Sequence, residues 1–288
     1  PNYGSGTECL FCHRDYVGPR WGSNPHNRTM RSPDAEEPAM RALAEAGIEG
    51  LSPSEIDILL GDGPNVRFLK RLPEYGKASV FSASYVEDPE AKSPRDCFRN
   101  LENPHWDDRL FADRCAGCHA TGIDTQTASM STPSLECYVC HGLTEIEHTT
   151  PEATALLSGR QPTDARVELS ICGQCHLRGG RSRATGRPYP TNFVPGDNLL
   201  RDFQVDFDEA AVSAMDPVER HIFVNARDVL LRNQSELTCT SCHSIHENNS
   251  EKHGELDEVA YCAICHQPGK AMSDAALPKR RSSKTCGY

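Results

Sequence analysis

The clearest patterns of hydrophobic and polar residues lie between residues 14 and 114. Ser32-Pro33 and the following DAEEPAMRALAEA predict a helix that has acidic residues in its first turn and ends at Gly47. Ser52-Pro53-Ser54-Glu55 is a capping box with proline at the first helical position, so it predicts a short helix that stops at Gly61.

Two further stretches have the composition of strands. Residues 66–72 and 79–86 are rich in β-branched and aromatic side chains, so they predict a small hairpin. Later in the chain, HIFVNARDVLL has partial helical periodicity and predicts a helix from about Pro217 to Arg232. Elsewhere we expect loops and short helices, because the chain contains 21 glycines and 20 prolines.

Large apolar side chains are scarce in this sequence. Of 288 residues, 37% are hydrophobic and 7% are aromatic. A conventional hydrophobic core is difficult to build at this composition. We therefore expect another kind of group to fill much of the interior.

The cysteines indicate what that group is. Twelve of the 14 cysteines fall into six copies of C-x-x-C-H, whereas chance would supply about 0.03 copies at this composition. The copies are Cys9, Cys12 and His13; Cys115, Cys118 and His119; Cys137, Cys140 and His141; Cys172, Cys175 and His176; Cys239, Cys242 and His243; and Cys262, Cys265 and His266.

C-x-x-C-H is the attachment site of c-type haem. The two thiols add to the two vinyl groups of the porphyrin, and the adjacent histidine becomes the proximal ligand of the iron. Three other interpretations of the paired cysteines are a zinc ribbon, a thiol redox site and a disulfide framework. The zinc ribbon fits the spacing of two pairs of motifs, since 18 residues separate Cys118 from Cys137 and 19 separate Cys242 from Cys262. None of them requires a histidine after every second cysteine, so the sequence favours six haem c groups.

The remaining histidines number six, which equals the number of motifs. They are His26, His105, His148, His221, His246 and His253. The equality predicts that each haem iron has a second, distal histidine ligand. The alternatives are that some of these histidines lie at the surface and that some haems use a methionine or keep an open position. Five methionines are available: Met30, Met40, Met130, Met215 and Met272.

The predicted fold class is a multihaem cytochrome c with a haem-packed core, mostly loops and short α-helices, and at most a small β-hairpin. Residues 1–110 form an N-terminal part with one haem motif, two short helices and the hairpin. Residues 111–288 form a five-haem part, and we expect both parts to make one continuous unit. Because haem would replace the missing apolar side chains, we expect the haem-free chain to be largely disordered.

Three segments resemble one family of multihaem cytochromes: CAGCHATG from Cys115 to Gly122, ECYVCHG followed by His148, and CTSCHSIH from Cys239 to His246. That family includes the tetrahaem cytochrome that serves hydroxylamine oxidoreductase and related cytochromes that assemble extracellular filaments. The resemblance covers roughly residues 105–270. It implies haems stacked in alternating parallel and near-perpendicular pairs. It also implies that His148 and His246 are distal ligands, usually to a haem other than the nearest one.

The coordination predicts the function. A haem with two histidine ligands has no open position, so it passes single electrons without binding a substrate, and histidine in place of methionine lowers its reduction potential. We therefore expect electron transfer through six low-potential haems and no enzymatic activity. The alternative is a multihaem oxidoreductase that acts on a small nitrogen or sulfur compound at one five-coordinate haem.

Charge and cysteine chemistry indicate the setting. The net charge of −11 argues against a nucleic-acid partner, and no apolar run approaches the length of a membrane span. Covalent haem points to the periplasm or exterior of a prokaryote, with a signal peptide already removed before Pro1. In that oxidising compartment we expect the leftover Cys97 and Cys286 to form a disulfide.

Two basic clusters stand out on this acidic chain. The first contains Arg178, Arg181, Arg183 and Arg187, and the second contains Lys279, Arg280, Arg281 and Lys284. Most of these charges are expected in solvent, but we predict that Arg178 or Arg181 contacts a haem propionate. The acidic stretch from Asp202 to Ala210 is assigned to the surface.

The expected partners are other redox proteins or copies of the chain itself. Head-to-tail contact between copies gives an open filament when the interface does not close. His26 is the first candidate for a distal ligand donated to a neighbouring copy, because it lies in the segment WGSNPHN near the N-terminus. The alternative is a monomer or small oligomer in which His26 binds a haem of its own chain.

Overall fold

A computed structural model of the chain describes residues 7–145, 148, 155–158, 164–233, 238–241 and 243–247. Cys286 and the basic cluster of the C-terminal tail lie outside the described residues, so the disulfide to Cys97 stays a prediction. In the described part of the chain, no helix is both long and apolar enough to cross a lipid bilayer.

An antiparallel sheet of six strands dominates the region between the first two haem motifs. The strands pair in the order β1-β2-β3-β4-β5, and β6 also pairs with β4. Their bounds are β1 Met30–Arg31, β2 Ile58–Leu60, β3 Asn65–Arg71, β4 Ala78–Val86, β5 Phe98–Arg99 and β6 Trp106–Asp107. The predicted hairpin is confirmed as β3 and β4, but the expectation of at most a small hairpin is wrong.

The helix predicted to end at Gly47 is present as α3, Pro38–Ala46. It begins later than the sequence pattern suggested, because Glu37 still has extended backbone angles and Pro38 supplies the fixed φ of the first helical turn. Gly47 ends it in the left-handed region at φ 57°. Glycine enters that region without steric cost, so the prediction of the helix end is confirmed.

The capping box makes only one helical turn. Pro53–Glu55 is a single 3₁₀ turn with both capping-box hydrogen bonds present. The predicted continuation to Gly61 is wrong, because residues 58–60 form β2. These three side chains are all buried, and strand pairing to β1 and β3 lets them bury on both faces of the sheet.

Each face of the sheet has its own hydrophobic core. On one face, Met40 and Leu43 of α3 pack with Leu59, Phe68 and Phe81, and the last three are fully buried. Apolar residues are therefore scarce in the chain as a whole but concentrated in this sheet and in α3. The expectation that this chain lacks a conventional core is wrong for residues 39–106.

The opposite face of the sheet packs against the second haem motif. Ile58, Leu69 and Val80 meet Phe111 and Ala116 in a single buried cluster. Residue Ala116 lies between the two cysteines of the motif CAGCH. The sheet thus fixes the position of that motif by ordinary apolar packing.

The other described elements carry or support the haem motifs. The helices are α1 Thr7–His13, α2 Gly18–Trp21, α4 Ala116–His119, α5 Tyr138–His141, α6 Ala165–His176, α7 Glu209–Ser213 and α8 Pro217–Arg227. The strands are β7 Ala120–Asp124, β8 Ser129–Pro133, β9 Arg181–Ser182 and β10 Phe203–Gln204. Single 3₁₀ turns cover Pro94–Cys97, Leu199–Arg201 and Cys239–Ser241, and π-helical turns cover Phe111–Cys115 and Asp228–Arg232. The helix predicted from Pro217 to Arg232 is confirmed as α8 and the π-helical turn that follows it.

The loop of the first basic cluster is fixed by two carboxylates, the buried Asp202 and the partly exposed Asp113. Asp202 is only 8% exposed, which corrects its assignment to the surface. Burial alone would raise the pKa of Asp202, but hydrogen bonds from Thr191, Ser182, Ala184 and Asn192 hold that pKa below its ordinary value. Arg187, in the same loop, pairs with Asp113 at 2.9 Å.

We predict that Leu59→Ala lowers the free energy of unfolding by about 3 kcal/mol, because it removes a fully buried side chain and leaves a cavity between α3 and the sheet. Denaturant unfolding followed by far-ultraviolet circular dichroism measures this. The matched control is Leu231→Ala, since Leu231 is 57% exposed and its truncation should cost less than about 0.5 kcal/mol. Equal effects of the two variants would contradict a core at Leu59.

Candidate haem sites

Four haem motifs are described in full, and each of their histidines is the last residue of a helix. The helices α1, α4, α5 and α6 end at His13, His119, His141 and His176. Residues three and four apart share one face of a helix. A final helical turn therefore points both thiols and the imidazole to the same side, which is the arrangement that covalent haem attachment needs.

The fifth motif is described in part. Its first cysteine opens the 3₁₀ turn Cys239–Ser241, and the amide of His243 donates to the carbonyl of Cys239 at 2.9 Å. Cys242 lies outside the described residues, as do Cys262, Cys265 and His266 of the sixth motif and the candidate distal ligand His253.

The motifs lie directly against one another. Three pairs of motif thiols are close neighbours: Cys9 with Cys137, Cys118 with Cys175, and Cys172 with Cys239. Helix α6 takes part in two of these pairs and also packs against α5. The fourth motif therefore lies at the centre of the described set, with the second, third and fifth around it.

The second motif needs a glycine where it packs against Tyr189. A Cβ on Gly117 would lie 2.1 Å from the Tyr189 ring, so no other residue fits there without displacing that ring. The hydroxyl of Tyr189 donates to the carbonyl of Ala112 and holds the ring in place. The thiols of Cys118 and Cys175 each donate to a backbone carbonyl of the other motif at 3.9 Å.

A buried carboxylate ties the fifth motif to the fourth. Glu168 is 3% exposed and accepts hydrogen bonds from the amide and hydroxyl of Thr240 at 2.7 and 2.9 Å. Its carboxylate and the thiols of Cys172 and Cys239 lie close enough to share one metal ion. We assign the thiols to haem attachment instead, because each opens a C-x-x-C-H motif and both carboxylate oxygens already bind Thr240.

Three motif histidines each lie beside one non-motif histidine. The ring centroids of His13 and His148 are 5.8 Å apart, those of His26 and His176 are 6.2 Å apart, and those of His141 and His246 are 5.9 Å apart. Two imidazoles that bind one metal ion from opposite sides, each with a nitrogen about 2 Å from it, have centroids about 6 Å apart. The interplanar angles of 22°, 68° and 25° differ, and a shared metal leaves that twist free.

Several of these imidazoles are oriented by a carbonyl at Nδ1. Nδ1 lies near Asn24 Oδ1 for His26 (3.2 Å), near the backbone oxygen of Leu156 for His141 (2.6 Å), and near that of Glu145 for His148 (2.8 Å). Such a contact fixes the proton on Nδ1 and leaves Nε2 to bind a metal.

Desolvation favours the neutral form of His26, His176 and His246, which is the form that binds a metal. Burial lowers the pKa of His26 and His246. Burial and the neighbouring His26 lower the pKa of His176 to about 4. At neutral pH the three imidazoles therefore carry no proton that a metal ion would have to displace.

The buried Asn24 connects two of the histidine pairs. Its side-chain oxygen faces His26, and its side-chain nitrogen donates to the carbonyl of Ile245 at 2.7 Å, one residue before His246. The other two described candidates for distal ligands are exposed. They are His105, in the loop before β6, and His221, on α8.

A cavity of about 470 Å³ adjoins the second motif. Cys115 and His119 line one side, and burial lowers the pKa of His119. Among the described residues, Nδ1 of His119 is buried without a hydrogen-bond partner. A large cavity beside an attachment thiol and an unsatisfied imidazole fits a haem bound at this motif.

Sequence reasoning missed the other wall of this cavity. It is formed by the turn between β2 and β3, by Arg67 on β3 and by Ser84 on β4, which belong to the sheet that has no haem motif. Arg178, one of the two predicted propionate ligands, also lines the cavity and pairs with Glu219 at 3.5 Å. Arg181 instead donates to the carbonyl of Gly186 at 3.5 Å.

Comparisons with known proteins agree with these motifs. The family model described as cytochrome c554 and c-prime matches residues 83–142. The multihaem cytochrome MtrA of Shewanella baltica (strain OS185) is 25% identical over 193 residues, which cover 61% of this chain and 51% of that protein. The chain thus spans about half the length of this curated relative.

The fold is also similar to a solved structure, the undecahaem cytochrome from the S-layer of Carboxydothermus ferrireducens. The match has a TM-score of 0.49 and 13% sequence identity, and it covers 94% of this chain and 44% of that one. The repeated attachment motifs, the family match and the curated relative together support a multihaem c-type cytochrome.

Proposed function

We propose that this chain binds six haem c groups and passes single electrons among them, with two histidine ligands on each iron. The observation that carries the proposal is the set of three histidine pairs. Each pair joins one motif histidine to one non-motif histidine at the separation that a shared iron requires.

The pairs support a distal ligand for each of three haems. His148 serves the haem of His13, His26 serves the haem of His176, and His246 serves the haem of His141. In each case the distal ligand comes from a segment remote from the motif that it completes. An iron with both axial positions filled by protein keeps its ligands in both oxidation states, which favours electron transfer over substrate binding.

The contacts between motifs supply the route. Adjacent thiols connect the first motif to the third, the second to the fourth and the fourth to the fifth, and α5 packs on α6 to connect the third to the fourth. Haems attached at neighbouring thiols have their edges close together. Electrons entering at the first haem therefore reach the fourth haem through the third.

Assembly with redox partners or with copies of the chain, in the periplasm or outside the cell, completes this proposal. His26 lies beside His176 of its own chain, which supports the alternative in which no distal ligand crosses between copies. A filament would then depend on contact between terminal haems alone.

We predict that His26→Ala leaves one haem five-coordinate. Electron paramagnetic resonance of the dilute ferric protein should show one new high-spin haem, and the ferrous protein should bind one carbon monoxide per chain. His26→Met should keep that haem low-spin and raise its reduction potential. The control is the neighbouring Asn27→Ala, which should change neither readout.

The outcome that would contradict this ligation is a high-spin haem already present in the dilute wild-type chain and unchanged by His26→Ala. That result would mean that His26 serves a different copy or no haem.

Protein-film voltammetry tests the function itself. We expect six reversible one-electron steps, all at low potential, and no catalytic current on addition of nitrite, hydroxylamine or sulfite. A catalytic current with any of these compounds would overturn the proposal in favour of an oxidoreductase with an open haem.

A further inference from the structure

The sheet that carries no haem motif forms one wall of the cavity beside the second motif. We propose that it supplies Arg67 as the counter-charge for the propionates of the haem attached at Cys115 and Cys118, and that Arg67 thereby raises the reduction potential of that haem. This inference rests on the proposed function, since it requires a haem at the second motif.

Strand alternation puts Arg67 on the correct face. Its neighbours Val66 and Phe68 point into the core under α3 and are buried there. Successive side chains of a strand point to opposite faces, so Arg67 points to the face that meets the second motif. There it lines the cavity together with Cys115 and His119.

The ion pairs that the structure describes around the cavity involve other arginines. Asp62, in the same wall, is paired with Arg28 at 3.2 Å and with Arg31 at 3.5 Å. Arg178, on the other side, is paired with Glu219. In the described part of the chain, no carboxylate forms an ion pair with the half-buried Arg67.

Arg67 lines the cavity from a half-buried position, so its positive charge is placed to bind an anion there. A haem brings two propionate carboxylates. The planar guanidinium of arginine binds a carboxylate through two parallel hydrogen bonds, which suits it to this group better than lysine.

The charge of Arg67 already reaches the attachment site. Burial raises the pKa of Cys115 to about 11, and the positive charge of Arg67 acts in the opposite direction on the same thiol. A haem bound at that thiol lies within the field of Arg67. Reduction adds an electron to the haem, so a nearby positive charge stabilises the reduced form.

The test is a potentiometric titration of the holoprotein with Arg67→Gln. We expect the reduction potential of one haem to fall by about 59 mV, which corresponds to a tenfold smaller equilibrium constant for its one-electron reduction. Arg67→Lys keeps the charge and should recover most of the shift. The matched control is Arg71→Gln, which removes the same charge from the exposed end of the same strand and should leave all potentials unchanged.

Haem content and circular dichroism of each variant are measured on the same samples. If Arg67→Gln impairs folding, Arg67→Met removes the charge while keeping the apolar stem, and the same shift is expected. A neutral variant that keeps six haems and all wild-type potentials overturns the role of Arg67 and leaves the proposed function intact. A wild-type chain with fewer than six haems overturns the proposed function instead.

Discussion

Under the proposed ligation each haem iron would take two imidazoles, and a single short helix provides only one of them. The helical turn that ends at a motif histidine fixes the two thiols and the proximal ligand together. The second imidazole must come from elsewhere. The rings of His148, His26 and His246 meet motif histidines that lie more than a hundred positions away in the sequence. On our account each iron joins two remote segments, and the fold around the motifs depends on these joints.

The six-stranded sheet depends on apolar burial and not on joints between remote segments. It has a buried apolar core under α3 and a second core against the haem motif region, and burial on both faces specifies the register of its strands. The motif-bearing part beside it has a further apolar cluster around Leu169, Phe203 and Phe223, to which covalent haem attachment would add stability. The cavity between the sheet and the second motif is lined by residues of both, including Arg67 from the sheet and His119 from the motif.

The sequence predicted those elements that depend on the residues of their own segment. The β3–β4 hairpin follows from its β-branched composition, and the end of α3 follows from Gly47. The two-residue strands β1, β5 and β6 were not predictable in this way, because they exist only through pairing with longer strands. Residues 58–60 became a strand for the same reason, against the helical signal of the capping box.

The sequence predicted part of the candidate haem sites in the same way. The motifs fix the attachment residues, whereas the partners of each distal histidine depend on which segments meet in space. Glu168 carries a weak signal, since it lies one helical turn before Cys172. For Arg67 the only signal is its place between two apolar residues of a strand, Val66 and Phe68. Only the packing of the sheet shows that the face carrying Arg67 meets the second motif.

The proposed electron transfer requires haem at every motif, so the most direct measurement is the mass of the full chain under denaturing conditions, with peptide mapping of its cysteines. Covalent haem survives denaturation, whereas zinc or any other bound metal ion is lost. We expect the polypeptide mass plus six haems, with all twelve motif cysteines in thioether linkage. The mass of the polypeptide alone, or disulfides between motif cysteines, would contradict the account.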